Sequence, residues 1–169
     1  MTATQTETLR LPPRWLIRTF WVLHRTLHSL TGGRFGLWRP QAGKRFGTMR
    51  LTTLGRLTGR PRAAIVGYYE DGTRLVTLAM NGWAAPEPAW WLNLQAHRNA
   101  TVELADGPRA VVARAATGAE RDRLWAGFRN YPGWGADIDS LAARRPTETA
   151  VVVFEPRTSS AGRDLPWQP

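Results

Sequence analysis

The chain has 169 residues and a mass of 18.9 kDa, enough for one domain with a sizeable core. It has no cysteine, which excludes disulfides, thiolate catalysis and cysteine metal sites. The formal net charge is +10, and Lys44 is the only lysine among 23 basic residues, so the chain attracts anionic partners: phosphorylated cofactors, acidic membrane surfaces or nucleic acid.

Residues Met1–Leu11 are polar and threonine-rich and are expected to form a disordered tail. Pro12 and Pro13 open a segment, 12–33, with helical periodicity. Leu16, Phe20, Leu23, Leu27 and Leu30 fall on one face, and Arg14, Arg18, Arg25 and Ser29 on the other. Arg18 and Arg25 interrupt the apolar run, so it is no transmembrane span. No small-residue cleavage site follows, so it is no secretory signal. Two readings stay open. The helix packs its leucine face on the domain or a partner subunit, or it lies on an anionic membrane with Trp15 and Trp21 near the interface. The expected location is cytoplasmic, with the inner face of the cell membrane as the peripheral option.

From Thr48 the pattern changes to strands. Strands are expected over Thr48–Leu54, Ala63–Tyr69 and Arg74–Ala79, with Glu70-Asp71-Gly72 turning the second into the third. Asn81–Pro88 reads as a loop, and Pro88 sits in the first turn of a helix over Ala89–Ala96. Thr101–Leu104 and Arg109–Ala115 read as strands joined at Asp106-Gly107. Thr117 is the expected N-cap of a helix over Ala119–Phe128, with Glu120 as capping-box partner. An aromatic, glycine-rich loop follows at Tyr131–Gly135, then a last strand over Ala150–Phe154. The tail 157–169 is expected to be loose. Hairpin-joined strands with few helices predict a mainly β fold, a small antiparallel barrel with flanking helices, over residues 34–156.

The chemistry concentrates in Leu51–Arg62, LTTLGRLTGRPR: a strand entering a turn with two glycines and three arginines. Such a turn can hold an anion against N–H and guanidinium groups. No acid–base pair, thiol or metal cluster accompanies it. His24 and His28 are four apart but lack a third ligand, and His97 sits at a helix end. An anion clamp without such groups points to a cofactor that brings its own reactivity.

The run LTTLGRLTGRPR, the Tyr68-Tyr69 pair, the segment WWLNLQAHRNATV and the ending AVVVFEP together resemble the deazaflavin-dependent nitroreductase family. The resemblance covers about Arg34–Pro156. It implies a split β-barrel related to the FMN-binding split barrels. It implies coenzyme F420, a 5-deazaflavin with a phosphorylated lactyl and oligoglutamate tail, whose reduced form gives hydride to a small planar hydrophobic acceptor such as a quinone, enone or nitro compound. FMN is the alternative cofactor. Arg56, Thr58, Gly59, Arg60, Arg62 and Ala64 match the tail-binding region. Leu78, Ala79, Met80, Asn81 and Gly82 match the segment beside the ring. Trp90 and Asn93 match residues near the cofactor, although Trp90 also suits a core wall and Asn93 a purely backbone partner. Tyr131 is the candidate proton donor or acceptor contact. Trp134 is the candidate stacking surface for the acceptor; the same loop also reads as tucked onto the barrel.

The chain departs from the family pattern at Leu57 and Asn81, where a basic residue is common, and at Glu87-Pro88, where Asn-Pro is common. Tyrosines of the nitroimidazole-reducing member are missing near Trp134 and Ile138. A ligand-binding or membrane-peripheral protein without turnover is the first rival reading. Nucleic-acid binding is the second, set aside because the arginines are spread over the chain and no recognition motif accompanies them. Oligomeric state is left open, with a homodimer as one option.

Overall fold

The computed structural model describes residues 36–134 and 137–157. The expected tail 1–11, the amphipathic segment 12–33 and the tail beyond Arg157 lie outside the described residues. Six strands are present: β1 Gly47–Leu54, β2 Pro61–Asp71, β3 Arg74–Leu78, β4 Asn99–Leu104, β5 Gly107–Ala115 and β6 Val151–Pro156. They close into a barrel in the order β1-β2-β3-β6-β5-β4, every pair antiparallel. The helices are α1 Ala89–Ala96, α2 Gly118–Gly127 and α3 Ile138–Ala143, with a 3-10 turn Phe128–Asn130 after α2. This is the mainly β barrel with flanking helices that the hairpin pattern predicts.

Strand period two sorts the side chains. Met49, Leu51, Val66, Tyr68, Leu75, Val102, Leu104, Val111, Ala113, Val152 and Phe154 form the interior cluster. Residues at the alternate positions of β2, β3 and β6 point outward: Tyr69, Val76, Leu78, Val151 and Val153. Leu124, Trp125, Phe128 and Ile138 cover that outer face. Both faces of β3 and β6 are therefore buried, which is why Leu75–Leu78 and Val151–Phe154 carry apolar residues on both sides, with the buried Thr77 as the exception. Each large side chain buried this way contributes about 1.5–3 kcal/mol. Trp91 and Leu94 carry α1 into the interior cluster, and α1 packs against β1, β2 and β5.

Local signals resolve in more detail than the residue patterns state. The β2–β3 hairpin pairs Asp71 with Arg74, so its two-residue loop is Gly72-Thr73, with Gly72 at φ 64°. The β4–β5 hairpin pairs Leu104 with Gly107, so its loop is Ala105-Asp106. Pro88 lies just before α1 rather than in its first turn, and its carbonyl accepts from Trp91 and Leu92 N–H. The expected capping box does not form. Thr117 occupies the N-cap position without a side-chain bond, because Glu120 is drawn to Arg114 (2.6 and 2.8 Å) and Arg74 (3.0 Å). A charge-assisted pair to two guanidiniums outweighs one bond to a backbone N–H. The short helix α3 has no counterpart in the predicted elements. Asp137 caps it, its Oδ1 accepting from Asp139 and Ser140 N–H at 3.1 Å each.

Candidate cofactor site

The turn between β1 and β2 is held rigid by its own backbone. Gly55 N–H donates to the Arg60 carbonyl at 2.9 Å. The Gly55 carbonyl accepts from Thr58 N–H (3.2 Å) and Gly59 N–H (2.7 Å), and Arg60 N–H reaches Thr58 Oγ1 at 3.4 Å. Gly59 has φ 64°, a left-handed conformation that glycine adopts without steric cost. A Cβ on Gly55 would lie 3.1 Å from the Arg60 carbonyl oxygen and 3.2 Å from Thr58 Oγ1, so the turn also closes tightly there.

Asn93 ties this turn to α1. It is buried; its Oδ1 accepts Arg56 N–H and its Nδ2 donates to Thr53 Oγ1, each at 3.1 Å. Asn93 thus has protein partners, one a backbone N–H and one a side-chain hydroxyl. Most N–H groups of the turn are thus already paired, so an anion there is bound chiefly by side chains.

Those side chains are Arg56, Arg60 and Arg62, all exposed. None takes part in an ion pair among the described residues, whereas Arg39, Arg50, Arg74, Arg109, Arg114, Arg121, Arg123 and Arg129 all do. The donor set fits a polyanionic tail: three forked guanidiniums without carboxylate partners on a fixed turn. Leu57, at the tip between them, is 84% exposed. Ala64, one strand step on, is half-buried against the interior cluster.

The segment Leu78–Gly82 divides in two. Leu78 and Ala79 are buried, and Ala79 has both backbone groups in use: its N–H donates to the Ala150 carbonyl at 2.9 Å and its carbonyl accepts Arg145 Nη1 at 3.1 Å. Met80 is half-buried against the outer cluster. Asn81 and Gly82 are exposed, Gly82 has φ 55°, and the space where its Cβ would stand is open. The exposed part of this segment is Asn81–Gly82, where the Asn81 carbonyl accepts Ala84 N–H at 3.0 Å. Trp90 is half-buried against the interior cluster, a wall position, with its ring centroid 6.4 Å from that of Trp91.

Tyr131 is half-buried and stacks on Tyr69 at 5.2 Å with an interplanar angle of 16°. Trp134 is only 5% exposed. Its ring packs against Phe46 and Phe128, each at 4.9 Å between centroids. Phe46 and Phe128 cover the indole that the resemblance offers as an acceptor-stacking surface; the loop is tucked onto the barrel.

Three contributors carry no signal in the sequence. Thr53 looks like any strand threonine. Trp83, unremarked among nine tryptophans, donates its Nε1–H to the Trp134 carbonyl at 2.9 Å. Arg145, indistinguishable in sequence from its neighbour Arg144, is buried. A hollow of about 420 Å³ lined by Arg121, Trp125, Arg129, Asp139 and Glu148 lies on the outer helical face. Its arginines are neutralised, Arg121 by Glu148 and Arg129 by Asp139 at 2.7 Å each, so it has no spare cation. Among the described residues no cluster of His, Asp and Glu can hold a metal ion, and no helix is long and apolar enough to cross a membrane.

Known proteins decide between the readings that this geometry allows. The family model described as F420H(2)-dependent quinone reductase matches residues 29–156. The chain belongs to this family. An F420H(2)-dependent quinone reductase of Mycobacterium tuberculosis is 33% identical over 120 residues, 66% of this chain and 77% of that protein. A solved structure described as a domain-swapped dimer superposes with a TM-score of 0.59 at 24% identity, covering 82% of this chain and 99% of that one. The structure of an F420-H2 dependent reductase superposes with a TM-score of 0.56 at 21% identity, covering 68% and 98%. The two structures establish the shared fold. As a quinone reductase of this family the chain is an oxidoreductase, its cofactor is coenzyme F420, and its acceptor is small, planar and hydrophobic.

Proposed function

We propose that Arg56, Arg60 and Arg62 hold the anionic tail of F420 while the Asn81–Gly82 edge and Trp90 border its ring, so that a quinone is reduced beside that edge. The observation that supports this most is the turn itself, whose backbone Asn93 ties to the barrel and which carries three guanidiniums without carboxylate partners among the described residues. When bound, reduced F420 supplies the hydride. The protein supplies binding, orientation and a dry surface. The guanidiniums neutralise phosphate and carboxylates. Thr58 spends its hydroxyl on Arg60 N–H and Gly59 gives the turn its left-handed residue, so both shape the turn rather than grip the tail. The Tyr131 hydroxyl makes no hydrogen bond among the described residues, which leaves it able to hold a proton for the quinone oxygen.

A fluorescence titration with oxidised F420, with FMN in parallel, tests this reading. Saturable F420 binding that weakens in Arg56→Ala and Arg62→Ala supports it. FMN binding in place of F420 sinks it. A quinone dissolved in lipid also suits a site at the inner face of the cell membrane, reached through the arginines and leucines of segment 12–33. Flotation of the full chain with anionic and neutral vesicles tests that placement.

A further inference from the structure

Gly82 and Trp83 are consecutive left-handed residues, at φ 55° and 66°. Trp83 is the only non-glycine residue with positive φ among the described residues. A bulky aromatic residue is strained in this region, and such strain persists only where the surroundings over-determine it. Here they do so from two sides. Trp83 Nε1–H donates to the Trp134 carbonyl at 2.9 Å. On the other side Arg145 spans the loop: its Nη1 donates to the Ala79 carbonyl at 3.1 Å and its Nε to the Ala84 carbonyl at 3.2 Å. One guanidinium thus holds both ends of the segment that carries the exposed Asn81–Gly82 edge.

Arg145 is costly where it stands. It is 7% exposed, no carboxylate pairs with it among the described residues, and its Nη2 is buried without a partner. Its remaining contact is Nη1 to Thr149 Oγ1 at 2.6 Å. A buried cation without a counter-charge is a poor way to stabilise a core, since an apolar side chain of similar volume does so without the desolvation cost. Its geometry suits a different task, fixing two carbonyls that an apolar residue cannot hold.

We propose that Arg145 is a positioning residue for the cofactor, which with Trp83 keeps Ala79–Ala84 in the strained shape that presents the Asn81–Gly82 edge to the F420 ring. The proposal rests on the placement of the ring in the functional reading above. It concerns the shape of the free protein as well, which separates the two in a test.

The experiment compares wild type, Arg145→Met, Arg145→Lys and Trp83→Phe. Hydrogen exchange of the Ala84 amide, which donates to the Asn81 carbonyl at 3.0 Å, reads the loop in the cofactor-free protein. Titration with oxidised F420 reads binding. The expected result for R145M is exchange at Ala84 faster by tenfold or more and F420 affinity weaker by about tenfold. R145K, which keeps the charge and one or two of the bonds, recovers affinity to within about threefold of wild type. W83F, which removes only the indole donor, loosens both readouts in the same direction. If R145M does not fold, R145K and W83F carry the test through the same two readouts. Loosened exchange with unchanged F420 affinity overturns the proposal and leaves the functional reading standing. Unchanged exchange overturns it as well. Failure of wild type to bind F420 overturns the functional reading and the proposal together.

Discussion

Asn93 holds Arg56 by the backbone, its Oδ1 3.1 Å from Arg56 N, while its Nδ2 sits 3.1 Å from Thr53 Oγ1. This side chain connects the helix that packs on the barrel to the turn that carries the free guanidiniums. Asn93→Leu strands the Arg56 N–H and leaves Thr53 Oγ1 with only its bond to the Arg62 carbonyl at 3.4 Å, at a cost of about 1–3 kcal/mol. Thermal unfolding is expected to drop by roughly 3–10 °C. F420 affinity is expected to weaken although no charge is removed, which calorimetric or fluorescence titration checks.

Arg62→Ala and Arg56→Ala predict the opposite pattern. Both side chains are exposed and without a carboxylate partner, so their loss leaves the melting temperature within about 1 °C, as is usual for surface changes. Each is expected to weaken F420 binding by about tenfold, equal to about 1.4 kcal/mol. The loss shrinks at high salt, where exposed charges are screened.

Much of this was legible in the strands and little of it in the loops. The β1, β2, β5 and β6 boundaries fall within about two residues of the apolar runs, because period-two burial is written directly into residue type. The arginine turn was legible because two glycines and three arginines in the eight residues Gly55–Arg62 have few other uses. Arg145 and Trp83 were not. Their roles come from partners 66 and 51 residues away, and a buried arginine has the same letter as an exposed one. Asn93 was visible only as an amide between Leu92 and Leu94 in need of a partner; the fold supplied Arg56 and Thr53. Helix α3 lacked the length for helical periodicity, yet Asp137, two residues before Asp139 and three before Ser140, was a readable cap.

Trp134 and Tyr131 separate stability from turnover. Trp134→Ala empties a buried site between Phe46 and Phe128 and is expected to cost about 3–5 kcal/mol, lowering the melting temperature by roughly 10–17 °C. Tyr131→Phe keeps the ring on Tyr69 and is expected to leave the melting temperature unchanged. Quinone reduction by the phenylalanine variant is expected to fall severalfold. Full turnover with an unchanged pH profile removes Tyr131 from proton transfer.

Acid lability follows from the arginine–carboxylate pairs. Hydrogen bonds from Arg123, at 2.9 and 3.1 Å, with Arg74 adding to them, hold the Asp71 carboxyl below its ordinary range. Arg114 does the same to Glu120. A carboxyl with a lowered folded pKa stabilises fully above its unfolded value of about 4 and loses that contribution as pH falls through the folded value. Melting temperature is expected to be flat between about pH 7 and 5 and to fall below about pH 4, less steeply in Asp71→Asn. At the other end, burial pushes the Tyr68 hydroxyl up to about 12. Its contribution is whole below the unfolded value of about 10 and is lost as pH rises through 12, so unfolding at high pH should coincide with tyrosinate absorbance at 295 nm.

The central claim is that the Gly55–Arg62 turn grips the anionic tail of F420. The most direct measurement is the dissociation constant for oxidised F420 of wild type and Arg62→Ala, each at low and high salt, beside a tail-free deazaflavin. The account predicts that wild type discriminates strongly for the full cofactor and that Arg62→Ala and high salt both erase most of that preference. Equal affinity for the tail-free deazaflavin in wild type, or an unchanged preference in the variant, contradicts it.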